Sequence, residues 1–269
     1  MSSLDLRFLP IDMIIPHEGY DPRRVQRLVR SFQSTGILSE PLIVTEHHES
    51  FVLLDGATRT QALKALCITE AVVQVVEYRN PEVRLRTWNH VIFDFPISRL
   101  LAELKSIPGF STGPSIEFPN AGLELDGMVA QIISPSGECF GIINSCLDMG
   151  IAWVLNQIVN IYRGNARVDR STQSNLQFLQ NDYPGFCAAI AFPRLRPSDV
   201  LQCAASGDHI PMGITRHIIA ERAKNLNLPL NILRDRCSIE QSSQASKHKD
   251  TERLANHDME HQDSISIFP

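Results

Sequence analysis

At 269 residues the chain has room for one large domain or two modest ones, and 43% hydrophobic with 20% charged residues is enough to bury a core without covalent staples. Its longest apolar stretches, such as residues 71–76, are far too short to span a bilayer, and the start MSSLDLRFLP lacks the basic-then-apolar order of a secretion signal. The formal net charge of −5 divides into −3 on residues 238–269, where six acids meet three bases, and −2 on the body, which argues against nucleic-acid binding. Six cysteines with no C-x-x-C pair argue against a zinc site and suit a reducing compartment, so the cytoplasm is the expected location.

Asp21-Pro22 reads as a helix cap followed by proline at the first helical position, and Val25, Leu28, Val29 and Phe32 continue it as an apolar stripe that Gly36 ends. Arg23, Arg24, Arg27 and Arg30 occupy the other side of that helix and read as a solvated face. PLIVTE (41–46) and SFVLLD (50–55), joined by the polar HHE, predict a hairpin or neighbouring strands. A helix carrying Ala62, Leu63, Ala65 and Leu66 is expected after Thr58, and AVVQVVE (71–77) predicts another strand.

Past Pro96, ISRLLAELKSI predicts a helix, and GMVAQIIS with CFGIIN predicts two strands around Pro135-Ser136-Gly137. Asp148 is the expected cap of a helix running through Tyr162, RPSDVLQCAASGD reads as a helix closed by Gly207, and GITRHII as a strand. NLNLPLNIL is more apolar than a solvated loop needs. Residues 238–269 have the composition of a disordered tail. The expected fold class is α/β (α+β), with a first module over residues 1–95 and a second mixed α/β domain over 96–237.

LLDGATRTQALKAL (53–66) places an acid and a glycine where a strand hands over to a helix. Such a junction points backbone N–H groups outward, and the helix dipole favours an anion there. Gly56 removes the side chain that would block close approach, Thr58 can cap the helix or bond a phosphate oxygen, and Arg59 adds a planar charged fork. Asp55 suits a bare anion trap poorly, unless a divalent cation intervenes or it handles a proton. On spacing alone the junction remains either a capped turn or a phosphate site.

The stretch GILSEPLIVTEHHESFVLLDGATRTQALKAL resembles the core of the ParB/sulfiredoxin superfamily, in which a G-x-x-R turn at a helix start holds nucleotide phosphates. Three branches differ in what they require. Sulfiredoxins need a cysteine inside the turn, where this chain has Ala57 and Thr58. ParB partition proteins follow the module with a helix-turn-helix region, which the sequence after Pro96 does not suggest.

Free L-serine kinases, some serving siderophore-precursor synthesis, are matched in order along the chain. IIPHEGYDP resembles their P-H-E stretch, TWNH (87–90) their tryptophan motif, and IPMGITRHIIAERAKNLNLPL (210–230) their P-x-G-x-T-R signature. The turn departs from their pattern, since Ala57 and Thr58 stand where one or two histidines are frequent.

That resemblance implies phosphoryl transfer from ATP or ADP, with Mg²⁺, to free L-serine in a cleft between the two units. It implies Glu18 as base, with Asp55 orienting a metal or sharing proton handling. Gly56, Ala57, Thr58, Arg59, Thr215 and Arg216 would hold the nucleotide phosphates, and Trp88 and His217 the amino acid. The chain has no G-x-x-x-x-G-K-[ST] loop, so a P-loop kinase is excluded. His47-His48 show no third ligand and read as loop residues. The competing reading is a ParB-like nucleotide-binding regulator without kinase turnover.

Overall fold

A computed structural model describes residues 4–115, 128–145 and 149–234. The chain opens with β1 (Leu6–Pro10) and β2 (Ile14–Pro16), and then enters α1 (Pro22–Thr35). The side chain of Asp21 accepts the Arg23 N–H at 2.8 Å, and Gly36 closes α1 with φ of 66°. After the short β3 (Ile37–Leu38), β4 (Leu42–His47) and β5 (Ser50–Asp55) form the expected antiparallel hairpin, pairing His47 with Ser50. The helix α2 (Ala57–Ala65) and β6 (Glu70–Val75) follow.

These strands make a five-stranded sheet in the order β1-β6-β4-β5-β2, in which β2 runs parallel to β5 and β4 parallel to β6. Side chains alternate across a strand, so the hairpin serves two cores. Leu42, Val44, Phe51 and Leu53 pack with Val25 and Phe32 of α1 and Ala62 and Leu63 of α2. Ile43, Val52 and Leu54 point the other way, into the core of the second unit.

The second unit continues with β7 (Val83–Thr87), β8 (Asn89–Phe93), α3 (Ile97–Ser106), β9 (Phe110–Pro114), β10 (Met128–Ile133) and β11 (Cys139–Asn144). It then adds α4 (Ile151–Tyr162), β12 (Arg167–Ser171), α5 (Leu176–Asp182), β13 (Ala188–Ala191) and α6 (Pro197–Ser206). Its antiparallel sheet has the order β12-β8-β13-β10-β11-β9. The helix α4 buries Ala152, Val154, Leu155, Ile158, Val159, Ile161 and Tyr162, more than one face, and forms the centre of this core. It begins after Gly150; Asp148, the expected cap, lies outside the described residues, as does the whole 238–269 tail.

The last strands return toward the first unit. β14 (Thr215–Ile219) pairs with β7 as a two-stranded ribbon, and β15 (Leu228–Pro229) pairs with β3. Leu230 and Leu233 enter the first core, which explains the apolar excess of NLNLPLNIL. The two cores therefore do not divide the chain at a single point: β8 precedes residue 96 yet lies in the second sheet, while Leu226, Leu228, Leu230 and Leu233 pack on the first core. The mixed α/β class expected from sequence is the class observed. Among the described residues no helix is long and apolar enough to cross a membrane.

Candidate active site

Parallel pairing of β2 with β5 sets the geometry. Pro16 lies beside Leu53, so both strands leave the sheet at the same edge and carry His17-Glu18 and Asp55-Gly56 to one place. The segment after β2 is fixed from the other unit. His17 accepts the Ile210 N–H and Gly19 donates to the Ile210 carbonyl, both at 2.9 Å. Around this point lies a pocket of about 460 Å³ reached by Glu18, Arg24, Asp55 to Arg59, Trp88, Arg170, Met212, Thr215 to His217 and Arg222. All ten residues singled out in the sequence thus meet at one pocket, although they come from four separate segments.

Glu18 is held on both carboxylate oxygens. The Gly213 N–H donates to Oε1 and the Thr215 hydroxyl to Oε2. Burial raises its pKa to about 7, against the opposing pull of those two hydrogen bonds and of the Arg170 charge. Gly213 has a φ of 85°, and a Cβ there would stand 2.5 Å from the Arg170 guanidinium. The glycine therefore lets Arg170, near the end of β12, lie against the backbone beside Glu18.

His17 and His217 flank this carboxylate from behind. His17 Nδ1 is 2.6 Å from the Leu53 carbonyl, and His217 is bonded to the next carbonyl, that of Leu54. Burial drops the pKa of His17 to about 4 and that of His217 to about 3, so both rings are neutral. The second nitrogen of His217 meets the Tyr78 hydroxyl at 2.7 Å. With both nitrogens engaged, His217 is a wall of the pocket rather than a free substrate ligand.

The phosphate-turn residues need a sharper description. Gly56, with φ of 113°, occupies the N-cap position itself, and α2 starts at Ala57, one residue before Thr58. No side chain caps the helix, so Thr58 caps nothing, and the first-turn N–H groups open toward the pocket. Arg59 turns back on its own protein: it donates to the Glu40 carbonyl at 3.0 Å, the Pro41 carbonyl at 2.7 Å and Asp55 Oδ2 at 2.9 Å.

Arg222 reaches the same Asp55 oxygen, and bonds Glu40 at 3.0 Å. The loop carrying Arg222 is held by the buried Gln74 amide, which donates to the Glu221 carbonyl at 2.7 Å and accepts the Ala223 N–H at 2.9 Å. Burial would raise the Asp55 pKa, but the charges of Arg59 and Arg222 prevail and hold it below the usual carboxylate value. A carboxylate clasped by two guanidinium groups is poorly placed to orient a metal. Among the described residues no group of three or more His, Cys, Asp or Glu side chains could hold one.

Arg24, Arg170 and Arg216 have no carboxylate partner within salt-bridge distance among the described residues, and all three line the pocket. Arg216 lies over the half-buried Trp88 ring, 4.5 Å from its centroid, so this tryptophan walls the pocket rather than filling core. Sequence reasoning missed Arg170 and Arg222, met Gly213 only as the glycine of the P-x-G-x-T-R signature, and read Arg24 as solvated. Arg24 is indeed exposed, but at the pocket mouth.

No family model matches the chain. The ATP-dependent L-serine kinase SbnI of Staphylococcus aureus (strain NCTC 8325 / PS 47) is 26% identical over 243 residues, which cover 88% of this chain and 87% of that protein. The solved structure of S. aureus SbnI with a C-terminal truncation superposes with a TM-score of 0.68 at 22% identity, over 92% of this chain and 96% of that one. A glutamate-to-glutamine mutant of a free serine kinase, in complex with AMP, gives 0.70 at 16% identity, over 86% of this chain and 95% of that one. The chain has the free serine kinase fold. An ATP-dependent L-serine kinase of Staphylothermus marinus matches a shorter stretch, at 30% identity over 99 residues, 36% of this chain and 39% of that protein. The relatives thus fall in the branch that the sequence motifs indicated.

Proposed function

We propose that this protein transfers the terminal phosphoryl group of ATP or ADP to the hydroxyl of free L-serine, giving O-phospho-L-serine. The observation that carries the reading is the placement of Glu18. A carboxylate with pKa raised to about 7 sits in a pocket with an uncapped helix N-terminus and three arginines that form no salt bridge among the described residues. That arrangement joins a base tuned to neutral pH with a receptacle for a polyanion. The naming of the S. aureus relative as an ATP-dependent L-serine kinase, and the AMP complex of the free serine kinase, support the same assignment.

In this reading the serine oxygen attacks the terminal phosphorus in line. Its proton passes to Glu18, the new O–P bond forms, and the bond from phosphorus to the departing nucleotide oxygen breaks with its electron pair. The N–H groups of Ala57, Thr58 and Arg59 meet the phosphates, and Arg170, beside Glu18, offsets charge on the transferring group. Arg216 stacked on Trp88 takes the serine carboxylate. Thr215 serves Glu18 rather than phosphate, and Arg59 with Arg222 keeps Asp55 and the turn rigid. Mg²⁺ would arrive on the nucleotide, as is usual for this ion, rather than in a protein cage.

The deciding experiment incubates the protein with serine and either ATP or ADP and follows O-phosphoserine by ³¹P NMR. Serine-dependent phosphoserine formation, absent in Glu18→Gln, is expected. Nucleotide hydrolysis indifferent to serine would replace the kinase with the regulator reading.

A further inference from the structure

The Glu18 carboxylate shares a hydrogen-bond donor with a buried imidazole, and the count of protons between them does not close while Glu18 is ionised. His17 Nδ1 lies 2.6 Å from the Leu53 carbonyl, which can only accept, so this nitrogen carries the hydrogen. The ring is 3% exposed and neutral, which leaves Nε2 as a lone pair. Its hydrogen-bond partner among the described residues is Thr215 Oγ1, at 3.0 Å. Thr215, itself buried, also contacts Glu18 Oε2, and a hydroxyl has one proton to give. With Glu18 ionised, either carboxylate Oε2 or His17 Nε2 goes without the Thr215 hydroxyl as donor. With Glu18 protonated, the carboxyl needs fewer donors and the hydroxyl is released to His17.

We propose that Thr215 and His17 are positioning residues that set the proton affinity of Glu18, the Thr215 hydroxyl switching from the carboxylate to His17 Nε2 when Glu18 takes up a proton. This rests on the reading of Glu18 as the base. A buried acceptor left without a donor is costly, so competition for one hydroxyl favours the protonated carboxyl, and with it extraction of a proton from the substrate.

The other groups facing the pair act by charge or packing. Arg170 of β12 favours the carboxylate, and Asp55 at the end of β5 opposes it. His209, in the segment after α6, disfavours a charged His17. His217 of β14 meets the His17 ring edge-on, with centroids 5.4 Å apart. The Gly213 N–H serves the other carboxylate oxygen and stays there in both states. Neutral His17 is thus not a second base. It is an acceptor held in place for the hydrogen bond that the Thr215 hydroxyl donates.

The test uses the full chain without substrates, with ¹⁵N-labelled histidine and ¹³C-labelled glutamate carboxyl groups followed by NMR across pH. His17 should remain in the neutral Nδ1–H form, and its Nε2 resonance should move with the same midpoint as the Glu18 carboxyl. In Glu18→Gln that movement should vanish. His17→Leu removes the acceptor at similar volume and should lower the Glu18 midpoint by about one pH unit. His17→Gln, whose amide can donate to Leu53 and accept from Thr215, should restore it.

An Nε2 resonance indifferent to Glu18, the opposite tautomer, or equal midpoints in the Leu and Gln variants would overturn the proposal. Should His17→Leu not fold, the parent and Glu18→Gln spectra decide alone. A parent protein that makes no phosphoserine would sink the kinase reading and leave the NMR outcome standing.

Discussion

Replacing Glu18 by glutamine should make the protein more sensitive to acid, even though it removes a partly buried carboxyl. Two buried histidines, His17 and His90, and the half-buried His217 have pKa values pulled by desolvation from an ordinary 6.5 to about 4, 4 and 3. Because the unfolded chain binds protons more readily than these folded sites do, stability falls as pH drops through this window. From pH 7.5 to pH 5 each histidine removes about 2 kcal/mol, or about 6 kcal/mol together. Glu18 acts in the opposite sense. Its folded value, about 7, lies above its ordinary 4.5, so its contribution to stability is fully present below pH 4.5 and lost as pH rises through 7.

Over the same interval Glu18 returns about 2.5 kcal/mol, leaving the parent with a net loss of about 3.5 kcal/mol from these four groups. The Glu18→Gln protein lacks that return and should lose about 6 kcal/mol. Urea unfolding at pH 7.5, 6 and 5, read by tryptophan fluorescence and fitted with a common m-value, measures both. An equal pH dependence in parent and variant would refute the account of Glu18 as a carboxyl kept protonated by burial near neutrality. A parent whose stability is flat across the range would refute the neutral histidines as well.

In the kinase assay, Glu18→Gln should lower kcat by about 10² to 10⁴ with little change in nucleotide affinity, checked by single-turnover phosphoserine formation beside a nucleotide titration. Trp88→Ala should raise the serine KM and leave nucleotide binding unaltered, as steady-state kinetics with each substrate varied will report. Arg170→Ala should weaken nucleotide binding without lowering the urea midpoint, whereas Arg59→Ala should lower that midpoint, because Arg59 is bonded to Asp55 and to two backbone carbonyls. Gly56→Ala forces a side chain into φ of 113° and 2.7 Å from Leu42 Cδ2, and calorimetry should show a loss of about 1–3 kcal/mol with weakened nucleotide binding.

What was legible in the sequence was punctuated locally. Asp21, Pro22 and Gly36 bracket α1, and the hairpin announces itself by two apolar runs around a polar turn. Asp55-Gly56 marks the right junction, but the helix starts at Ala57 because a glycine with positive φ performs the turn that Thr58 was expected to cap. β12 escaped notice because RVDRS has no apolar alternation, and it packs half-buried against β8. Arg170 reaches the site only because a glycine at position 213 vacates the space beside it, a relation that no local pattern encodes. Likewise the engagement of Arg59 depends on carbonyls at 40 and 41, so its charge was legible while its partners were not.

The pocket closes by contacts between residues far apart in the chain: His17 meets Thr215 across a separation of 198 positions. A ribosome adding roughly 5–20 residues per second needs about 10–40 s to make that interval. During it the nascent first unit presents Ile43, Val52 and Leu54, the face later covered by the second unit, to solvent. Such an apolar sheet face is what chaperones bind. Synthesis therefore exposes a chaperone substrate before it can complete a pocket, and Glu18 enters its burial only once the chain has been made past Thr215.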